Sequence, residues 1–201
     1  MGVYRKSKAV ALIVASLGWA TPTEVAGAAI RLRVPLKCSE GPSDQHYDFS
    51  AAVPASAAQG STITVRIDGE DSGKVSHVGL KYIHDMTTEV LLPAGASLVE
   101  GSARIVPGTG TANVRTGAKI TQQAGGLKLI LPARIEAGAS YTPPSFEFQL
   151  VVTAGPGQKI VQRFSQYRVN ANAIIIGDVQ TICEPTPKPY PIATTTVVPA
   201  V

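Results

Sequence analysis

Apolar and polar residues alternate with a period of two through segment after segment of this chain, and that pattern excludes most of the folds open to it. Ile63, Val65 and Ile67 alternate with Thr62, Thr64, Arg66 and Asp68, and Phe146, Phe148, Leu150 and Val152 alternate with Glu147, Gln149 and Val151. Ile30, Leu32, Val34, Leu36 and Cys38 fall on one side, with Arg31, Arg33 and Lys37 on the other. Successive side chains of a strand point to opposite faces, so each pattern marks a strand with one buried and one wet face. The same reading places strands at 48–53, 78–83, 88–92, 103–106, 127–131, 158–170 and 174–182. Within 158–170 the alternation changes phase, with Ile160 and Phe164 in one frame and Tyr167 and Val169 in the other. That predicts a bulge or bend near Ser165. Gly, Pro, Ser and Asp fill the connections, and no window of ten residues sustains a 3.6-residue apolar stripe. The expected fold is all-β: an immunoglobulin-like or jelly-roll two-sheet sandwich, with a closed barrel as the alternative.

The first residues read differently. Arg5, Lys6 and Lys8 are followed by the apolar run 9–20 and then by Ala26-Gly27-Ala28, the order of a cleavable export signal. Residues 1–28 are therefore expected to be removed between Ala28 and Ala29. The run is too short for a transmembrane anchor, which needs about 20 apolar residues, and no later segment is long and apolar enough to span. Removal lowers the formal net charge from +4 to +2, because three basic residues and Glu24 leave together. It also takes Trp19, the only tryptophan. No basic cluster interleaved with aromatics remains, which argues against nucleic acid as a partner.

Two cysteines, Cys38 and Cys183, lie near the two ends of the alternating region. In an oxidising compartment an even pair reads as a disulfide, and this one is expected to close a sandwich domain of residues 29–183. Closing so long a loop is worth about 5 kcal/mol in the chain-entropy model. Beyond Cys183, the 184–191 stretch carries proline at every second position and 192–201 holds three threonines. We expect 184–201 to be a Pro/Thr-rich flexible tail, with a semi-rigid spacer or an added edge strand at 195–198 as the other readings.

Pro-Ala dipeptides at Pro54, Pro93 and Pro132 recur every 39 residues, each followed by a Gly (Gly60, Gly95, Gly138), and read as strand-ending devices. Asp71-Ser72-Gly73 matches the aspartic-protease triplet, but that chemistry needs two such carboxylates, so it reads as a turn. Asp68, Glu70 and Asp71 offer oxygen to a cation that wants six to eight ligands; solvated carboxylates are the plainer reading. His46, His77 and His84 are the only histidines, and His84-Asp85 is the one pair placed as a base beside an orienting carboxylate. No nucleophile elbow or zinc motif accompanies it. Gly108-Thr109-Gly110 lacks the third glycine and following helix of a phosphate loop. No catalytic residue, cofactor or metal ligand is assigned.

The signal, the first cysteine in Val34-Pro35-Leu36-Lys37-Cys38, the segment 53–65, the element Ser140-Tyr141-Thr142-Pro143-Pro144 and the second cysteine with its Pro/Thr tail together resemble small secreted proteins of actinobacteria (mycobacteria, nocardiae and relatives). The resemblance implies an exported, disulfide-closed sandwich and carries over no functional residues. The expected function is a secreted or cell-envelope non-enzymatic module that binds an envelope or extracellular component. The alternatives are a carrier of a lipid-like apolar ligand between the sheets and, more remotely, a hydrolase using His84 and Asp85. A sizeable apolar cavity between the sheets separates the carrier from the rest.

Overall fold

A computed structural model describes residues 27–41 and 45–200. It is all-β apart from one short helical turn, α1 (Ala112–Arg115). Thirteen strands follow in chain order: β1 (Ile30–Cys38), β2 (His46–Ala52), β3 (Ser56–Ala58), β4 (Thr62–Gly69), β5 (Leu80–Leu91), β6 (Ala96–Leu98), β7 (Arg104–Ile105), β8 (Lys119–Gln123), β9 (Gly126–Glu136), β10 (Phe146–Val152), β11 (Lys159–Ala173), β12 (Gly177–Pro185) and β13 (Tyr190–Val198).

They form the two-sheet sandwich that the alternation predicts. One layer runs β6-β10-β4-β2-β1, with β7 also on β10; the other runs β12-β11-β5-β9-β8, with β13 and β3 added beside β11. Strand β1 belongs to both layers. Its residues 30–35 pair with β2, and its last three, Leu36 to Cys38, pair with β12. The layers are thus stitched along one side by a strand that changes sheet. All pairings are antiparallel except the short β13–β3 contact.

The core is what period two dictates. Ile63, Val65 and Ile67 are at most 4% exposed, and Phe146, Phe148, Leu150 and Val152 at most 2%. From the other layer come Leu127, Leu129, Leu131, Val90 and Phe164, all equally buried. The expected bulge is present: β11 shifts register against β5 between Phe164 and Gln166, which brings both Phe164 and Tyr167 inward.

Four expectations need correction. The segments 78–83 and 88–92 are one continuous strand, β5, kinked at Asp85, whose φ of 48° is left-handed. Pro132 does not end a strand; it sits inside β9, in the bulge opposite Asp85 and past the last pairing with β8, where a missing N–H costs no ladder bond. The strand expected at 174–182 starts only at Gly177, and Ile174, Ile175 and Ile176 form an exposed hairpin tip. Most of the tail is not flexible: Tyr190–Val198 is β13, paired with residues 159–164 of β11, so the sandwich extends past 183. Its Thr195 and Val197 are 1% exposed, and the Thr195 hydroxyl donates to the Pro54 carbonyl at 2.8 Å. β-Branched residues favour an unfilled sheet edge over a free tail. The export segment lies outside the described residues, while Ala28 and Ala29 stand exposed just ahead of β1.

Candidate functional site

Strand β11 runs the length of its layer, and its inward side chains shrink along the way: Phe164, Tyr167, Val169, Ala171, Ala173. Nothing large replaces the lost volume from the opposite layer, because β1 has turned away to pair with β12. A cleft of about 670 Å³ results between the sheets at that end, within the size range of small-molecule sites. Its floor holds Leu36, Ile83, Val169 and Val179, the Cys38–Cys183 bridge, and the rings of Tyr47, Tyr141 and Tyr167.

The tyrosine hydroxyls answer one another. Tyr141 and Tyr167 are bonded at 3.1 Å, and Tyr47 is bonded to the Thr88 hydroxyl at 3.0 Å. The Tyr47 and Tyr167 rings stack at 5.1 Å, and Tyr47 also packs on Phe49 and Phe164. Burial pushes all three phenols above the ordinary tyrosine range, and mutual repulsion with Tyr141 adds to it for Tyr47 and Tyr167. The floor is therefore neutral.

The rim is charged. Glu70 is held by Arg31 at 3.2 Å and by the Ser50 hydroxyl at 3.1 Å, and Asp48 by Arg33 at 2.9 Å. His46 stands 3.6 Å from Asp48. One wall is the 70–79 loop, laced to the chain between β9 and β10: Ser72 N–H donates to Tyr141 C=O, Val75 N–H to Ala139 C=O, and Gly138 N–H to Val75 C=O, at 2.7–2.8 Å. On its other side the Ser140–Pro144 element binds the 106–111 loop, Thr111 and Thr142 exchanging backbone and hydroxyl bonds. A Cβ on Gly69 would meet the Pro143 oxygen at 2.2 Å, and one on Gly110 (φ +74°) the Pro144 nitrogen at 2.6 Å. Glycine at both positions lets the two loops close onto the prolines.

Of the residues singled out in the sequence, Cys38, Cys183, His46, His77, Glu70 and Asp71 border the cleft, while Asp68, His84 and Asp85 lie off it. Cys38 and Cys183 are bonded and directly opposed on neighbouring strands, at the point where β1 changes layer, rather than reaching across the sandwich. Asp71 accepts the Gly73 N–H at 2.7 Å, an Asx turn, while Asp68 is bound by Arg66. Burial works against the Asp68 carboxylate, yet hydrogen bonds from Arg66 and Ser145 hold it below the usual range. With Glu70 on Arg31, the three carboxylates are each spoken for separately, and no cluster of metal-ligating side chains occurs among the described residues.

His84 lies on the outer face of β5, because the kink at Asp85 turns Ile83 inward in its place. Its Nδ1 is 2.8 Å from Asp85 and its Nε2 is 3.4 Å from Asp178, which accepts from Asn172 at 2.8 Å. Tyr82 beside it carries the Arg134 guanidinium 3.5 Å above its ring. A histidine with a carboxylate on each nitrogen has no free nitrogen to take a proton from a nucleophile. His77 is exposed on the 70–79 loop. The cleft itself has no motif; the run of shrinking β11 side chains is its only mark in the sequence.

No protein-family model matches the sequence, and no curated protein matches it. Among solved structures, the chain is similar to a protein of Corynebacterium diphtheriae described as membrane anchored, with a TM-score of 0.50 and 17% identity over 87% of this chain and 38% of that one. It thus spans well under half the length of that protein. Domains D2 and D3 of the major pilin SpaD of the same organism overlap at a TM-score of 0.38 and 13% identity (66% of this chain, 48% of that one). The RrgB pilus backbone of Streptococcus pneumoniae overlaps at 0.38 and 12% (72% and 42%). At 17% identity the first likeness concerns the fold alone, an antiparallel β-sandwich.

Proposed function

We propose that the chain is exported, cut between Ala28 and Ala29, and works in the cell envelope or outside the cell as a non-enzymatic binding module. Its kinship to the actinobacterial secreted proteins, read from the cysteine-bearing strand and the Ser140–Pro144 element, belongs to the same proposal. The observation that carries it is the cleft of about 670 Å³ between the sheets, with a floor of apolar side chains and mutually bonded hydroxyls and a rim that includes His46, Asp48, Glu70, Asp71, Lys74 and His77. Such a surface can hold a ligand, and on its rim Asp48 and Glu70 are already engaged by Arg33 and Arg31. The bridge between Cys38 and Cys183 supports an oxidising compartment. No helix among the described residues is long and apolar enough to cross a membrane.

The cleft also favours a second, narrower reading, a carrier of an apolar ligand. The hydrolase reading has less support, since both nitrogens of His84 are taken by carboxylates on the outer face of the sheet. The test is to recover the exported protein from its native host and examine it by native mass spectrometry and N-terminal sequencing. The expected result is a chain beginning at Ala29 that retains, or takes up from an envelope extract, a component which an Ala171→Phe variant with an obstructed cleft does not. A chain that binds nothing from the extract, in either form, overturns the binding role.

A further inference from the structure

The cleft opens at the end where β11 turns into β12, and the turn is made of Ile174, Ile175 and Ile176, exposed by 64%, 94% and 69%. Val78, 95% exposed, stands beside it on the 70–79 loop, tied there by the Ile174 N–H donating to Gly79 C=O at 2.8 Å. Among the described residues six large apolar side chains are exposed, and four of them are at this one place. Clustered aliphatics at a loop tip mark a surface that is covered in use. Ile176 and Val78 also line the cleft, so the exposed patch is the outer end of the cleft wall.

Resting on the reading that the cleft takes an apolar ligand, we propose that Ile174, Ile175, Ile176 and Val78 form a membrane-contacting lip through which the acyl chain of a bilayer lipid passes into the cleft. The tip is purely aliphatic and lacks the aromatic and arginine anchors that dominate protein–protein contacts. A bilayer supplies both the cover for the tip and the occupant of the cleft, whereas a folded partner covers the tip and leaves the cleft empty. On the rim Lys74 stands among Glu40, Glu70 and Asp71, so there is no basic cluster to draw in anionic lipid. Aliphatic insertion alone holds the lip, and neutral phosphatidylcholine is the bilayer to use.

The chain from Ala29 onward contains no tryptophan, so an Ile175→Trp variant carries a single reporter at the lip. With phosphatidylcholine vesicles its emission should shift to the blue and be quenched by lipids brominated along the acyl chain. Dansylaminoundecanoic acid, added without vesicles to the unsubstituted protein, reads the cleft separately. Replacing Ile174→Asp and Ile175→Asp, neither of which lines the cleft, should weaken vesicle partition by about tenfold or more per residue and leave uptake of the probe unchanged. Ala171→Phe should do the reverse, with circular dichroism confirming that each variant folds. Probe uptake without vesicle binding overturns the lip and leaves the ligand reading standing. Vesicle binding without probe uptake overturns the ligand reading and with it the passage of a chain, and binding of neither overturns both.

Discussion

At one end of the sandwich, Phe146, Phe164, Val90 and Leu129 close together around a gap of about 10 Å³, space for a single water. At the other end the same two sheets stand apart around a cleft of about 670 Å³. Both ends are antiparallel, and β11 crosses both. Two features of the open end account for the contrast. The bulge at Ser165 resets the phase of β11, after which its inward residues dwindle to Ala171 and Ala173. At the same end β1 leaves its own layer to pair with β12, so the layers are joined there by a crossing strand, stapled to β12 by the disulfide, instead of by packed side chains. One end is held by burial and the other by covalent and backbone ties. Protein interiors normally fill to crystal-like density, so an end left hollow behind such ties is a place where something else fits.

Breaking the ties should have the largest effect. Cys38→Ala together with Cys183→Ala opens a loop with a sequence separation of 145 residues, worth up to about 5 kcal/mol in the chain-entropy model. Urea denaturation should show the loss. Hydrogen exchange should rise first at residues 36–38 and 181–183, while β4 and β10 stay protected. Uniform exchange across the molecule would erase the distinction between the ends. Next comes Phe148→Ala in the filled end, where the side chain is fully buried; it should cost about 3–5 kcal/mol by the same denaturation measurement.

Much of the filled end was legible in advance, because it depends on alternation and little else: β4 and β10 read cleanly from Ile63 to Ile67 and from Phe146 to Val152. The bulge was legible too, since a phase break in one strand has few other remedies. The open end was not. Ile174, Ile175 and Ile176 look like the heart of a buried strand, and periodicity cannot distinguish a buried run from an exposed tip when three β-branched residues stand together. Only the turn at Gly177 (φ 73°) and the bond to Gly79 place them outside. The left-handed Asp85 was hidden for a related reason: any Asp tolerates that conformation, and beside His84 it looked like chemistry. The cleft is a property of what β11 lacks relative to the layer facing it, and one strand's sequence does not say what it faces. The final strand was masked by the prolines ahead of it, although the Thr and Val residues of β13 carried the right propensity.

Alkaline titration gives a smaller and more specific signal. Burial raises the pKa of Tyr47, Tyr141 and Tyr167 in the folded protein above that of the unfolded chain. A raised folded value means that the stabilisation is complete below about pH 10 and is lost as pH climbs toward the folded value, because the unfolded chain sheds these protons first. Stability should therefore fall above about pH 10, at up to about 1.4 kcal/mol per pH unit for each of the three phenols. Tyrosinate absorbance from them should appear only with unfolding. If all the tyrosines ionised near pH 10 with the fold intact, bulk water would fill the floor of the cleft, and the site would be no place for an apolar ligand.

The smallest effect is the most telling. In a filled core, adding the volume of a phenyl group costs about 1–3 kcal/mol or more, because neighbours must leave their rotamers. Ala171 points into the cleft from a position paired with Ile83 on one side and Val179 on the other. An Ala171→Phe side chain there has open space to enter, covers apolar floor, and replaces a residue disfavoured in strands by one that is favoured. The change in stability should lie within about 1 kcal/mol of zero, with either sign, when measured by urea midpoint at constant m-value. The same exchange at Ala51, buried in the filled end and 1% exposed, should carry the full overpacking cost. Equal losses at both positions would mean that the sheets close over the cleft in solution, and the hollow end would then be as tightly packed as the other.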